Sequence, residues 1–456
     1  MKKLNLLFIL LILSCTRSES PLIPYLLLYK NVNIERNAPS LNYGFTKTKY
    51  LTFLDNEISY IPNVTGTVPL TFSILPELPK GLTFNSSTGE IKGIVDESEV
   101  VKETEFTILV KNSWGENSVK VKLGILNPTA FTDLRNSKCY DTTADIACGN
   151  TTFPNQDFEF KGKTKAIARE FIASETVEEF PNDYFTFDKI RGNYFSCVNN
   201  QKGKDCSEGG KDPLNFDNAV KSCSDLNSLN LGKGYAGRRD WRLAEINELI
   251  NTINLEEPVI NETKFPQGGT VCSQYLSNTA LFSDSSKIHY IVKDDAFIGN
   301  ESKSISKCFY CIAGKTKSKN NFIDNNNFTV TDKRTSLVWQ KCYLGQNLDS
   351  TCSGAPTERL WQQALQACRN LNLAGKSWRL PSLNELLSIF DFQKTTLPLH
   401  DSILGTYSNP NNTTQTSTTS SPAFNSRNYS IYFDDRIDTS IKFFDSQNIV
   451  RCVSDL

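Results

Sequence analysis

Residues 378–386 read Trp-Arg-Leu-Pro-Ser-Leu-Asn-Glu-Leu, and residues 241–249 read Trp-Arg-Leu-Ala-Glu-Ile-Asn-Glu-Leu. Six of these nine positions are identical. Cysteines keep the same order around both stretches: Cys197, Cys206, Cys223 and Cys311 in the first copy, and Cys342, Cys352, Cys368 and Cys452 in the second. The chain therefore contains one cysteine-framed module twice, and this module decides the fold of its C-terminal part.

The N-terminus has the pattern of an export signal. Two lysines precede an almost wholly apolar run at residues 4–13, which is too short to span a bilayer. Residues 11–15 (Leu-Ile-Leu-Ser-Cys) resemble a bacterial lipobox, in which the cysteine becomes the lipidated N-terminus. We therefore expect a lipoprotein signal peptide at residues 1–15. Cys15 would then anchor the chain to a membrane, and we expect the outer membrane and the cell surface. The alternative is an ordinary secretory signal followed by an accidental cysteine.

The remaining cysteines indicate a disulfide framework. The sequence has 13 cysteines, so lipidation of Cys15 leaves an even number. Cys342 and Cys352 lie ten residues apart, which favours a local bridge and leaves Cys368 for Cys452. Applied to the first copy and to the cysteines left over, this gives the pairs Cys139–Cys148, Cys197–Cys206, Cys223–Cys311, Cys272–Cys308, Cys342–Cys352 and Cys368–Cys452.

Composition argues against several classes of function. The net charge is −1, with 49 basic and 50 acidic residues, so there is no basic excess to bind nucleic acid. The only two histidines, His289 and His400, stand in different contexts, which argues against histidine-rich metal sites and histidine acid–base catalysis. We therefore expect no metal, no cofactor and no enzymatic activity.

The domain organisation follows from these patterns. Short apolar alternations separated by turn residues predict strands in the region before the first module. There, residues 78–93 resemble the Leu-Pro-x-Gly-Leu…Thr-Gly-x-Ile-x-Gly signature of immunoglobulin-like domains on bacterial surface proteins, with glycines suited to turns. We expect the signal peptide at 1–15, a tether at 16–45, an immunoglobulin-like domain at 46–127, a linker and lead-in at 128–184, the first module at 185–314 and the second at 322–456. The immunoglobulin-like domain is expected to act as a spacer, with partner binding as the alternative.

Within the modules, apolar side chains at helical spacing predict an amphipathic helix at residues 360–371 and another at residues 216–226. Ser382 and Glu385 form a capping-box pattern before a second helix, and the first copy, with Ala244, lacks that cap. We also expect a short helix at Lys165 to Glu178. The Asn-, Thr-, Gln- and Ser-rich run at 411–421 is expected to be a mobile surface loop.

Some residues allow two interpretations. Two residues separate Cys308 from Cys311, which is the spacing found in redox motifs and in zinc sites. We favour two structural disulfides with separate partners, because a zinc site needs two more ligands. Trp339 and Trp361 fit a core better than a sugar-stacking surface.

Two further groups are also ambiguous. Arg379 and Glu385 are expected to form a structural ion pair. Asp434 and Asp435, beside an aromatic residue, fit a surface turn better than a calcium site.

The second copy resembles the Lcl C-terminal domain family in residues 330–332 (Val-Thr-Asp), 337–341 (Leu-Val-Trp-Gln-Lys), 378–386 and 450–453 (Val-Arg-Cys-Val). The family is named for a collagen-like bacterial adhesin associated with glycosaminoglycan binding. The resemblance implies a C-type-lectin-like fold. The first copy is degenerate, because it lacks the tryptophan-containing strand and the Pro-Ser pair, so activity is expected mainly in the second.

Together these observations predict a multidomain protein, with an all-β immunoglobulin-like sandwich followed by two disulfide-rich α+β C-type-lectin-like modules. The expected function is that of a non-enzymatic surface lipoprotein that adheres to host, matrix or glycan ligands. The alternative is a structural envelope lipoprotein that binds only neighbouring cell-surface components. An enzyme is a third hypothesis, because some relatives of lectin-like folds are catalytic, but no nucleophile elbow or paired acids support it.

Overall fold

Strands make up most of the regular structure, and the helices are few and short. The structure, a computed structural model, describes residues 36–99, 101–132, 138–160, 167–209, 212–252, 263–267, 272–281, 284–292, 297–314, 321–390, 403–407, 413–419, 427–432, 439–443 and 446–455. The expected signal peptide, its Cys15, His400 and the candidate calcium pair Asp434 and Asp435 lie outside these residues.

The N-terminal domain is a sandwich of two sheets, as expected for an immunoglobulin-like domain. Its strands are β1 (Ser40–Asn42), β2 (Lys49–Leu51), β3 (Ile58–Tyr60), β4 (Asn63–Thr65), β5 (Thr71–Leu75), β6 (Leu82–Phe84), β7 (Ile91–Gly93), β8 (Lys102–Asn112) and β9 (Gly115–Ile125). One sheet has the order β2-β9-β8-β5 and the other β3-β7-β6, while β1 pairs with β4. Alternating side chains such as Phe106, Ile108 and Val110 fill the space between the sheets.

The immunoglobulin-like domain begins earlier than the sequence suggested. Residues 40–42, which the sequence places in the tether, form β1, because Leu41 is buried in the domain core. One glycine of the signature is required by its geometry. Gly81 has a φ of +86°, and a Cβ added there would lie 2.0 Å from the carbonyl oxygen of Ile94.

A join leads from the immunoglobulin-like domain towards the first module, and its described residues, 128–132 and 138–160, are mostly irregular. It contains the short strands β10 (Cys139–Tyr140) and β11 (Asp145–Ile146), closed by the Cys139–Cys148 disulfide, and a 3₁₀ turn at Asp157–Phe160. Although the join precedes the first module in the chain, it packs against the second. Phe153 contacts Trp361 with ring centroids 5.9 Å apart.

The first module combines a five-stranded sheet, a three-stranded sheet and short helices. Its elements are β12 (Phe171–Val177), β13 (Phe180–Asp188), β14 (Tyr194–Phe195), α1 (Phe216–Asp225), α2 (Leu229–Gly232), β15 (Arg242–Leu243), α3 (Ile246–Ile250), β16 (Gln274–Ala280), β17 (Lys287–Val292), β18 (Ile298–Ser302) and β19 (Cys311–Ala313). The five-stranded sheet has the order β12-β13-β14-β19-β15, and the other β16-β17-β18.

The second module repeats this plan. Its elements are β20 (Phe322–Asp324), β21 (Thr329–Asp332), β22 (Leu337–Gln340), α4 (Trp361–Arg369), α5 (Leu383–Ser388), β23 (Thr413–Thr419), β24 (Arg427–Tyr432), β25 (Thr439–Phe443) and β26 (Val453–Asp455). One sheet has the order β20-β21-β22-β26, and the other β23-β24-β25. In each module the last strand, β19 or β26, pairs within the same sheet as the first strands of that module. This pairing brings the two ends of the module together.

The predicted helices α1 and α4 are confirmed, and their apolar stripes are buried. In α4 the buried side chains are Trp361, Ala364, Leu365 and Cys368, which follow helical spacing. In α1 the N-cap is Asn215, as expected, and its side chain accepts from the backbone N–H of Asn218.

The helix expected at residues 165–178 is wrong, because residues 171–177 form β12 and pair with β13. The β-branched Ile172, Thr176 and Val177 favour a strand, and the neighbouring aromatic strand offers a partner. Strand pairing with a distant segment overrides a weak helical pattern.

The mobile loop expected at residues 411–421 is also wrong, because residues 413–419 form β23. Its threonines are β-branched, which favours a strand, and Thr416 and Thr418 are buried. The Thr418 hydroxyl accepts from the backbone N–H of Leu383 at 2.8 Å, and the Trp361 indole donates to the Thr416 carbonyl at 3.1 Å. These bonds satisfy two of the polar groups of the strand, while the hydroxyls of Thr414 and Ser417 are buried without a partner among the described residues.

The two modules share one apolar core. Ile246 and Leu249 of α3 belong to the same cluster of buried side chains as Leu383 and Leu386 of α5. These residues occupy matching positions of the repeat, so the module interface is built from the same face of both copies.

The capping box predicted for the second module is present. The Ser382 hydroxyl accepts from the backbone N–H of Glu385, and the Glu385 carboxylate accepts from the backbone N–H of Ser382. In the first module Glu245 occupies the N-cap position of α3 and its side chain makes no capping hydrogen bond. The Glu248 carboxylate nevertheless accepts from the backbone N–H of Glu245 at 2.8 Å, so the first copy keeps one half of the capping box and the expectation that it lacks the cap is only partly met.

Replacing Ser382 with alanine is expected to lower the free energy of unfolding by about 1 kcal/mol, because one backbone N–H of the first helical turn loses its acceptor. Urea unfolding followed by tryptophan fluorescence measures this, since three of the five tryptophans lie in the second module. The matched control is Ser382→Thr, which keeps the hydroxyl. Equal stability of the alanine and threonine variants would contradict the prediction.

Candidate functional site

The repeated tryptophans lie in the cores of their modules. Trp241 and Trp378 are each 2% exposed. The Trp241 indole donates to the carbonyl oxygen of Tyr235 and the Trp378 indole to that of Leu373, both at 2.9 Å. The tryptophan at the start of each repeated stretch therefore holds the turn that precedes it and is closed to ligands.

The arginine and glutamate of each stretch form a bidentate ion pair. Arg379 donates to both oxygens of Glu385 at 2.7 Å, and Arg242 donates to both oxygens of Glu248 at 2.6 and 2.7 Å. The structural role expected for Arg379 and Glu385 is therefore confirmed. In the second module the pair is almost fully buried, and Asp455 accepts a further bond from Arg379 at 3.1 Å.

Burial raises the pKa of Glu385, but the charge and hydrogen bonds of Arg379 outweigh it, so the pKa of Glu385 lies below its ordinary value. The pKa of Arg379 is raised for the converse reason, since the Glu385 charge outweighs burial. Both groups are therefore charged at neutral pH and joined in a single structural clamp.

The structure contains all six disulfides that the sequence indicated: Cys139–Cys148, Cys197–Cys206, Cys223–Cys311, Cys272–Cys308, Cys342–Cys352 and Cys368–Cys452. Cys308 and Cys311, the C-x-x-C pair, bond to separate partners, which favours the structural interpretation over a redox or zinc motif. The longer bridge of the second module joins α4 to the chain just before β26.

Trp339 and Trp361 are fully buried, as the core interpretation predicted, so neither offers a face to a sugar. His289 is 3% exposed, and burial lowers its pKa to about 4. Within the described ranges no three His, Cys, Asp or Glu side chains are grouped so as to hold a metal ion. None of the helices in the described part of the chain is long and apolar enough to cross a bilayer.

A large cleft lies between the immunoglobulin-like domain and the first module. Its volume is about 690 Å³. One wall is formed by β2 and β9 of the immunoglobulin-like domain and the other by β12 and β13 of the first module. The cleft therefore exists only because the two domains pack side by side.

The floor of the cleft is aromatic. Tyr50 of the immunoglobulin-like domain packs against Phe187 of the first module with ring centroids 4.8 Å apart, and Phe187 packs against Tyr194 at 4.9 Å. Phe187 is buried, while Tyr50 and Tyr194 are half-buried and line the cleft. This gives an apolar surface with the flat faces that suit sugar rings and extended peptides.

The rim of the cleft is charged and slightly basic. It carries four lysines and three glutamates: Lys47, Lys49, Lys120, Lys122, Glu105, Glu175 and Glu178. Lys47 connects the two walls, because its amine donates to the carbonyl oxygen of Thr176 at 2.8 Å. Lys49 forms no ion pair with any described residue, and its amine lies 5.4 Å from the Phe45 ring centroid. An acceptor group on a ligand can therefore reach this amine without displacing a carboxylate.

Sequence reasoning did not find this cleft. The signal on one wall was present, because lysines alternate with other residues at 47–50 and 120–123 and so fall on one face of each strand. The opposite wall carries no such signal, because the sequence pattern at residues 171–177 predicts a helix and not a strand.

Family profiles match most of the described chain. The Lcl C-terminal domain profile matches residues 191–313 and 328–454, and the profile described as "Putative Ig domain" matches residues 34–125. A search of curated proteins finds no match.

Solved structures resemble only parts of the chain. The I67–I69 fragment of titin is 20% identical over 20% of this chain and 33% of its own length, with a TM-score of 0.16. Human protocadherin-24 EC1-2 is 14% identical over 36% of this chain and 68% of its own length, with a TM-score of 0.18. The chain thus spans about a third of the titin fragment.

Proposed function

We propose that this chain, which belongs to the Lcl C-terminal domain family over more than half of its 456 residues, is a non-enzymatic bacterial surface lipoprotein. In this proposal it adheres to host, matrix or glycan ligands. Cys15 carries the lipid that anchors it to the outer membrane, and the two modules are of the C-type-lectin-like kind. The ligand binds in the cleft between the immunoglobulin-like domain and the first module.

The cleft is the observation that carries this proposal. Its volume of about 690 Å³ falls in the range of about 300–1,000 Å³ that ligand sites occupy. An aromatic floor with a polar rim suits an extended ligand that offers flat apolar faces and acceptor oxygens, as a glycan chain does. Tyr50 supplies an aromatic face, since the Tyr194 ring is covered by the Arg238 guanidinium 4.7 Å from its centroid. Lys49 supplies an unpaired donor, and Lys122 supplies a second donor that lies 3.8 Å from Glu105.

The carboxylates of the rim support binding over catalysis. Glu105 lies 2.7 Å from the Lys120 amine, and Glu175 lies 3.5 Å from the Lys47 amine. The hydrogen bond and charge of Lys120 lower the pKa of Glu105, so this acid does not hold the proton that a general acid requires. The immunoglobulin-like domain, whose strands form one wall, acts in this proposal as part of the binding surface and not only as a spacer.

The test is a glycan and matrix-protein array probed with the full chain, followed by titration of any ligand found. The variant Lys49→Ala/Lys122→Ala is expected to weaken binding at least tenfold, because two donors of the rim are lost. The matched control is Lys92→Ala/Lys111→Ala, which removes the same charge from exposed positions of the same domain outside the cleft.

Equal binding by both double variants would reject the cleft as the site. If no ligand on the array binds saturably, and the protein on intact cells is protected from protease, adhesion is rejected. These results would favour a structural envelope protein that binds only its neighbours.

A further inference from the structure

A second pocket lies where the two modules meet. Its volume is about 90 Å³, and it is lined by matching residues of the two copies. Asn247 and Ile250 of α3 face the corresponding Asn384 and Leu387 of α5. The repeat thus supplies the same polar and apolar groups from two sides, which makes the pocket nearly symmetric.

Two arginines also line this pocket, one from each module. Arg191 lies in the turn between β13 and β14, and Arg334 lies in the matching turn between β21 and β22. Each donates through Nη2 to a backbone carbonyl, Arg191 to Ala130 at 2.6 Å and Arg334 to Ser388 at 2.8 Å. The turns therefore fix both guanidinium groups at the edge of the pocket.

Both arginines keep an unused donor. The Nε atoms of Arg191 and Arg334 are buried and have no hydrogen-bond partner in the described part of the chain. A buried donor without an acceptor destabilises the folded protein, so a pair of them in one pocket needs an explanation.

The charges of the two arginines are also incompletely balanced. Unlike Arg379, neither forms a bidentate pair with a carboxylate of the described residues: Arg334 reaches Asp332 only at 3.7 Å. Burial lowers the pKa of Arg191 to about 10, and the positive charge of Arg334 acts in the same direction, while the carboxylates of Asp188 and Glu248 oppose them only in part. Two like charges with free donors in one pocket are stabilised by an anion placed between them.

The join closes the pocket on one side. Asn384 donates to the carbonyl oxygen of Thr132 at 2.6 Å, and the Thr132 hydroxyl donates to the Asn251 side chain at 3.1 Å. Thr132 therefore contacts both modules, and a ligand in this pocket would contact both modules as well.

We propose that the pocket between the modules binds a small oxyanion, either a carboxylate group or a free sulfate or phosphate, through the Nε donors of Arg191 and Arg334. The bound anion satisfies both buried donors and fastens the two modules to each other. The site is distinct from the cleft, in which only one of the two modules takes part.

The test is the thermal unfolding midpoint of the full chain, titrated with sodium sulfate, sodium phosphate or sodium acetate at constant ionic strength in sodium chloride. A saturable rise with at least one anion is expected. A response to acetate alone would identify an organic carboxylate as the ligand, and a response to sulfate or phosphate alone would identify a free inorganic anion.

The variant Arg334→Lys keeps the charge but loses the Nε donor, and it is expected to weaken the apparent anion affinity at least tenfold. Arg191→Met/Arg334→Met should abolish the saturable response. Arg369→Met, at an exposed position of α4, is the control for charge alone and should respond like the unaltered chain.

The proposal is overturned if no anion gives a saturable rise, or if the double variant keeps it. The cleft variant Lys49→Ala/Lys122→Ala should leave the response unchanged, so this proposal and the proposed function can fail independently.

Discussion

Removal of the Cys368–Cys452 bridge by Cys368→Ala/Cys452→Ala is expected to lower the free energy of unfolding of the second module by about 4.6 kcal/mol. The bridge closes a sequence separation of 84 residues, so its loss restores much conformational freedom to the unfolded chain. Because single domains are stable by only about 5–15 kcal/mol, a loss of this size brings the module close to unfolding at growth temperature.

The matched control is Cys342→Ala/Cys352→Ala in the same module. That bridge closes a separation of only 10 residues, so its loss should cost about 2.8 kcal/mol. Urea unfolding followed by tryptophan fluorescence compares the two. An equal or larger effect of the short bridge would show that loop entropy does not determine the stability that these bridges provide.

Glu385→Gln is expected to lower the free energy of unfolding by about 3–5 kcal/mol, because it leaves the positive charge of Arg379 buried with a weaker partner. The side chains of Arg379 and Glu385 are only 4% and 3% exposed, so water cannot replace the lost carboxylate. The measurement is again urea unfolding at neutral pH.

The repeat provides the control for this prediction. Glu248→Gln removes the matching carboxylate in the first module, where the Arg242 side chain is 32% exposed and water can solvate it, so the loss should be smaller. Replacing the whole pair, as in Arg379→Met/Glu385→Leu, should restore most of the stability. A double variant as unstable as Glu385→Gln would contradict an electrostatic origin.

The same pair makes the second module sensitive to acid. The pKa of Glu385 is lowered in the folded protein, so its contribution to stability is fully present above the ordinary value of 4.5. The contribution is lost as the pH falls through the folded-state pKa, because Arg379 then lacks its counter-charge. Glu385→Gln should therefore show less loss of stability on acidification than the unaltered chain does.

Much of the module could be predicted from the sequence, because its determinants are local or repeated. The stripe of α4 and the cap at Ser382 follow from short-range spacing, and the repeat restricts how the cysteines can pair. The two errors of secondary structure, at residues 171–177 and 413–419, have a common cause. Both are strands whose pairing and burial depend on partners far away in the chain.

The sites were harder to predict than the fold, because they form between units. Lys49 and Tyr194 line one cleft only because the immunoglobulin-like domain lies beside the first module. Arg191 and Arg334 carry only a weak signal: Arg334 directly follows Asp332-Lys333, whereas Ile190 separates Arg191 from the corresponding Asp188-Lys189. Only the structure shows that the two turns face each other across a single pocket.

The path of the join has a consequence for biogenesis. The Gln366 side chain of α4 donates to the carbonyl oxygen of Thr152, a residue 214 positions earlier in the chain. In a chain secreted from its N-terminus, the join would emerge long before the helix on which it rests. If the chain is exported as we propose, the Phe153 ring, which packs against Trp361, would stay uncovered until the second module emerges and folds.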